Sequence, residues 1–322
     1  MKNKLTMCAA IALLSPVVVF AQSPHDVVVA VEAVFAAQAT QTSTEAAFLA
    51  TSAPTALVVE DGKLANAQEV WRTRPSRPGS QLSWYPVLAD AAQSGDMGYT
   101  TGPWTMLQNN RPVSAGEYVT VWRKQLDGRW KFAVNMGIER IGAVPAQAAV
   151  VSRPHLMAAA ATPSTAPSNI VLEVDSKFAA AELMKPGATY QQYLSSEARL
   201  YRSGLSMMQG AAASANMKAI DGGYLFIANT GYLAAAGDLG YVVGSLHRPA
   251  SINHPMEDGT YLRIWRREAD AGWHIVLEMF NFVPGAAEAA AAVSTARPPA
   301  APAAPAVPAA GTIGQLPVKR GQ

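Results

Sequence analysis

The chain has 322 residues, half of them hydrophobic and 15% charged, which is enough apolar mass for about two folded domains. That composition excludes a chain disordered throughout. Its 25 basic and 23 acidic residues leave a formal net charge of +2, and Lys2 and Lys4 account for the surplus. Across residues 22–284 acids slightly outnumber bases, which excludes a nucleic-acid footprint.

Residues 1–21 read as a signal peptide. Lys2 and Lys4 form a positive start, Leu5 to Phe20 is apolar apart from Thr6 and Ser15, and Val19-Phe20-Ala21 fits a cleavage site. An apolar run of about 16 residues broken by Pro16 is too short to span a bilayer. The expectation is a secreted or periplasmic protein after cleavage near Ala21, without membrane insertion. The only cysteine, Cys8, lies at the start of that run, so no lipid anchor, disulfide framework or thiolate metal site is expected afterwards.

The rest of the chain is organised by a repeat at a spacing of about 143 residues. Gly95-Asp96-Met97-Gly98-Tyr99 returns as Gly237-Asp238-Leu239-Gly240-Tyr241. The run from Gly116 to Trp122-Arg123 returns from Gly259 to Trp265-Arg266, each followed by a turn and a further tryptophan, Trp130 or Trp273. Phe35 matches Phe178, and Phe48-Leu49 matches Tyr193-Leu194. Two modules are therefore expected, at 22–140 and 168–284, joined by an Ala/Pro-rich linker at 141–167. A disordered Ala/Pro-rich tail is expected at 285–322.

In chain order, Ser23-Pro24-His25-Asp26 predicts a capped helix start, with Val28, Val31, Phe35 and Ala39 on its apolar face. Thr42 to Glu45 opens a second short helix, as Thr189 to Gln192 does in the second copy. Leu57 to Glu60 before Asp61-Gly62 predicts a strand and hairpin turn, and Asn66 to Trp71 a small helix. Strands follow at Trp84–Ala91, Met97–Met106, Glu117–Gln125 and Trp130–Ile138. On the last of these, alternation places Trp130, Phe132, Val134 and Met136 on one face, with Trp273, Ile275, Leu277 and Met279 repeating it. Helices followed by antiparallel strands mean an α+β fold.

This order, together with Ser94 to Gly102 and Tyr118 to Lys131, resembles the SnoaL-like branch of the nuclear transport factor 2-like superfamily. The resemblance covers both modules and is weaker in the second, which has Arg263 for Thr120 and an inserted loop at 247–258. It implies two cone-shaped curved antiparallel sheets, each wrapped around N-terminal helices with a pocket at the wide end, pairing within the chain as a pseudo-dimer. The superfamily contains isomerases, cyclases, dehydratases and non-catalytic domains, so the fold leaves function open.

Candidate chemistry is sparse. Asp96 and Asp238 suit hairpin turns that hydrogen-bond backbone, Trp122, Trp130, Trp265 and Trp273 suit sheet packing, and Arg123-Lys124 and Arg266-Arg267 suit solvated strand ends. Matching Trp130 to Trp273 aligns Lys131 with His274 and Asn135 with Glu278, polar pairs read as sharing one face. A buried Glu278 with a raised pKa, paired with His247, is the acid–base candidate. His247, His254 and His274 lack metal-ligand spacing, no cofactor motif is present, and neither a thiol nor a Gly-x-Ser-x-Gly nucleophile occurs after the leader. Trp84, Tyr99, Trp104, Tyr118 and Asn135, with Tyr241 and Tyr261, are the expected pocket residues for a small apolar or aromatic partner. Three readings follow: a non-catalytic ligand-binding protein, an isomerase-, cyclase- or dehydratase-type enzyme, and a structural module with filled cones.

Overall fold

A computed structural model describes residues 22–285 except 76, 141–148, 153–168, 211–212, 214–222, 253–254, 269 and 271. The expected leader, most of the linker, nearly all of the tail, and His254 lie outside the described residues. Helix α1 (Pro24–Gln41) starts where the cap residues require: Ser23 Oγ accepts from the Asp26 amide at 3.2 Å, with proline in the first turn. Its buried stripe is Val28, Glu32, Phe35 and Ala39, so a glutamate stands where Val31 was expected. Helix α2 (Thr44–Thr51) is capped by Ser43, and α3 (Ala67–Thr73) by Asn66.

Strands β1 (Ser52–Glu60) and β2 (Lys63–Asn66) form the Asp61-Gly62 hairpin, both turn residues having positive φ as a primed turn demands. The single strand expected from Trp84 to Ala91 is two, β3 (Ser80–Trp84) and β4 (Leu88–Ala91), separated around Pro86, which cannot donate to a ladder. Then come β5 (Met97–Gln108), β6 (Arg111–Lys124), β7 (Trp130–Glu139) and a two-residue β8 (Val151–Ser152). The second module repeats the plan with α4 (Ile170–Met184), α5 (Ala188–Tyr193), β9 (Leu194–Arg202), β10 (Met208–Gln209), β11 (Leu225–Leu233), β12 (Leu239–Arg248), β13 (Glu257–Arg267) and β14 (Trp273–Phe282). Among the described residues the sheets run β2-β1-β7-β6-β5-β4-β8, with β3 on β5, and β10-β9-β14-β13-β12-β11. The fold is α+β, with two tandem units, each a sheet that packs its helices on one face around an interior cone. The sheets are mixed rather than wholly antiparallel, because β1 pairs with β7, and β9 with β14, in parallel. The long helix-and-meander connection between those partners permits it.

One bulge in each sheet decides which side chains enter the cone. Trp122 faces Phe132 but Val121 faces Val134, so Ala133 is an extra residue on β7. Phe132 therefore points into the first cone with Phe35 and Trp122, whereas Val134 and Met136 point outwards. The same step occurs between Ile275 and Leu277 on β14. The uninterrupted alternation expected for this strand is thus incorrect, and so is the shared face for Lys131 with Asn135. After the bulge Asn135 and Glu278 turn inward, while Lys131 and His274, before it, sit opposite the outward Arg123 and Arg266.

The outward faces pack on each other. Val119, Val121, Val134, Met136, Leu262, Ile264, Leu277 and Met279 share one buried cluster drawn from both modules. Its polar contacts are reciprocal. Asp96 Oδ2 accepts from the Ala235 amide at 3.1 Å, and Asp238 Oδ2 accepts from the Gln93 amide at 2.9 Å, so each repeated Gly-Asp turn is bonded by the other copy's carboxylate. The Arg123 guanidinium lies 3.4 Å from the centroid of the Tyr232 ring, and its counterpart Arg266 reaches Asp90 at 3.3 Å. Arg123 and Arg266 are interface residues, then, and only Lys124 and Arg267 fit the solvated strand ends expected of all four. Mutual contacts of this kind are what a two-fold interface produces. Replacing Asp238 by Ala leaves the Gln93 amide without its acceptor and is expected to lower unfolding free energy by about 1–3 kcal/mol in urea titrations.

Candidate functional site

The first cone opens to a cavity of about 210 Å³. Phe48 of α2, Trp71 of α3, Val58 of β1, and Trp84, Trp104 and Tyr118 of the sheet supply most of its wall, with Asn135 as an uncharged amide. Trp104 lies flat on the sheet because Gly116, its partner on β6, has no side chain; a Cβ there would come within 2.4 Å of the indole. At the rim Arg74 pairs with Glu60 and lies 4.2 Å over Trp71. Burial pushes the Glu60 carboxyl up, and Arg74 offsets part of that.

Behind this wall Glu32 is wholly buried on α1. It accepts Trp84 Nε1 at 2.6 Å, Trp122 Nε1 at 2.8 Å and Thr100 Oγ1 at 2.5 Å. Burial raises its pKa, and the hydrogen bonds from these neutral groups oppose the rise. None of its hydrogen-bonding partners carries a charge.

The second cone has a charged centre instead. Asp175, the counterpart of Glu32, accepts Trp265 Nε1 at 3.0 Å, Tyr261 Oη at 2.7 Å and Arg263 Nη1 at 3.2 Å. Glu278 accepts Tyr190 Oη at 2.9 Å, Arg202 Nη2 at 2.5 Å and Arg263 Nε. The Arg263 guanidinium lies 3.9 Å from the Phe226 centroid and 4.4 Å from those of Phe178 and Tyr261. A guanidinium thus occupies the middle of an aromatic box, where the first module has only Thr120 and Asn135.

Of the sequence-derived site residues, Trp84, Trp104, Tyr118 and Asn135 meet at the first cavity. Tyr99 and Tyr241 do not belong to a cone: their places on β5 and β12 put them on the outward faces, in the cluster between modules. Tyr261 does face the second cone, bonded to Asp175. The expected acid–base pair is not assembled. Val242 opposes Arg263, and Arg263 opposes Glu278, so these three share the inward face; His247, an odd number of residues along β12, points outward to Asp258 at 2.7 Å. Glu278 also departs from the expected raised pKa: burial would raise it, but Arg263 and Arg202 outweigh burial and hold it below the ordinary range. His274 bonds Asp270 at 3.0 Å, at the end of β13 away from His247.

Sequence reasoning passed over Glu32, Asp175, Arg202 and Arg263. The repeat itself held the signal, since Glu32 and Asp175 each stand three residues before the matched Phe35 and Phe178. An acid in register on two apolar stripes is a buried acid in both copies.

No protein-family model matches the chain, and no curated protein matches it. Solved structures similar to it include an NTF2-like protein of unknown function from Pseudomonas putida KT2440, with 15% identity, 37% of this chain and 87% of that chain covered, and a TM-score of 0.30. A putative ketosteroid isomerase from Parabacteroides distasonis ATCC 8503 has 11% identity over 38% of this chain and 92% of that chain, with a TM-score of 0.31. An NTF2-like protein with a cystatin-like fold from Novosphingobium aromaticivorans has 17% identity over 37% and 84%, with a TM-score of 0.28.

The two buried acids titrate in opposite senses. The lowered pKa of Glu278 contributes stability that is present above the ordinary glutamate range and lost as pH falls through the depressed value. The raised pKa of Glu32 contributes stability at low pH that is lost as pH rises through the elevated value. Glu278→Gln leaves two arginines short of a buried partner and should cost about 3–5 kcal/mol at neutral pH. In urea titrations that difference from wild type is expected to shrink as pH falls through the depressed range of Glu278.

Proposed function

We propose that this protein binds a small apolar or aromatic molecule in the cone of its first module, without catalysis, and that the second module serves as scaffold. The observation that carries the reading is the contrast between the cones: one has an aromatic cavity of about 210 Å³, the other an internal ion-pair cluster at its centre. A dry apolar cavity of about 150 Å³ is enough to take up benzene, so the first cone has room for a small ring system. A binding rather than a catalytic role is supported by Glu32, whose oxygens are already engaged by Trp84, Trp122 and Thr100. The opposed faces of Glu278 and His247 support it as well. The leader pattern of residues 1–21 favours a site of action outside the cytoplasm.

Thermal unfolding in the presence of a panel of small aromatic compounds tests this. A compound at a hundred times its Kd is expected to stabilise the protein by about 2.7 kcal/mol. Leu82→Trp, which fills the cavity, should abolish the shift while leaving the unliganded protein folded. Absence of any shift across the panel contradicts the proposal.

A further inference from the structure

The polar groups around the first cavity are either engaged within the protein or have their polar atom buried out of contact with it, with one exception. Trp84 Nε1 is held by Glu32 and Trp104 Nε1 donates to the Glu117 carbonyl at 3.2 Å. Arg74 and Glu60 neutralise each other at the rim. Tyr118 Oη and Trp71 Nε1 have no hydrogen-bond partner among the described residues, but both atoms are buried within the wall and present no surface to a ligand. That leaves Asn135, which is half-buried and lines the cavity.

The hydrogen bond between Asn135 and Thr120 gives the direction in which the amide points. Glu32 is an acceptor, and the indole N–H groups of Trp84 and Trp122 can only donate to it. Thr120 lies directly opposite Asn135 in the pairing of β6 with β7, and its hydroxyl oxygen has a lone pair to offer there. Asn135 Nδ2 donates to that lone pair at 3.0 Å. With Nδ2 committed to Thr120, Oδ1 accepts no hydrogen bond from the protein among the described residues. In the second module the matching residue is Glu278, whose oxygens are taken by Arg202, Tyr190 and Arg263.

We infer that the ligand of the first cone is a neutral ring compound carrying a hydroxyl or N–H group, which donates a hydrogen bond to Asn135 Oδ1. A neutral ligand fits because the rim pair is internally balanced and the wall beyond it is aromatic. A donor fits because the amide presents an oxygen. The inference rests on the reading of this cone as a binding site.

Calorimetric titration of the full chain with indole and with 1-methylindole separates the two claims. The probes share a ring system, and only indole has an N–H to give. Wild type is expected to bind indole about tenfold more tightly, as one neutral hydrogen bond allows. Asn135→Leu, with Asn135→Ala as the alternative should leucine overfill the site, should remove that preference while 1-methylindole still binds. Equal affinities in wild type, or a preference that survives both substitutions, overturn the inference and leave the cone as an apolar binding site. If neither probe binds wild type, the inference falls together with the reading beneath it.

Discussion

Each sheet of this protein has two apolar faces, and both must be covered. Helices cover the inner face, and the outer face is covered by the other module. That requirement is met by a single inserted residue on β7 and another on β14. Before each bulge the strand sends its large side chains, Phe132 and Ile275, into its own cone; after it, Val134 and Leu277 go to the shared interface. A bulge reverses the facing of every residue beyond it, so the cone chemistry and the pairing of the modules are set at the same point in the chain. The reciprocal bonds of Asp96 and Asp238 then orient one face against the other.

From this common frame the two copies diverge by few residues. Glu32 and Asp175 hold the same tryptophan position, through Trp122 and Trp265. Replacing Thr120 by Arg263 and Asn135 by Glu278 brings an ion pair into the second cone, with Arg202 as a further cation. Buried ion pairs of this kind add little net stability over an apolar core, because desolvation offsets their attraction. Their effect here is to occupy space and to commit every oxygen of Glu278. The first cone keeps a short amide, neutral donors and a cavity.

Much of this was legible in the sequence. The tandem repeat, the helix start capped by Ser23, the short helix opening within Thr42 to Glu45, the Asp61-Gly62 hairpin and the strand meander can all be read from sequence patterns, and the structure contains each of them. Trp84, Trp104, Tyr118 and Asn135 were placed at one pocket, where they are found. What was hidden depends on facing. Tyr99 and Tyr241 look like pocket aromatics until the register puts them on the outward face. Glu278 looks like an acid catalyst until Arg263 and Arg202 are seen against it, and those arginines come from different strands. The bulge at Ala133 leaves no mark in the composition, since alanine fits either face.

One cone holds a cavity, whereas among the described residues the middle of the other is occupied by the ion pairs of Arg263 with Asp175 and Glu278. Xenon enters dry apolar cavities without needing a hydrogen bond, so a crystal structure under xenon pressure reports on each cone independently of ligand identity. Xenon density is expected among Phe48, Trp104 and Tyr118 and none among Phe178, Phe226 and Arg263. Xenon in the second cone, or an empty first cone, would contradict it.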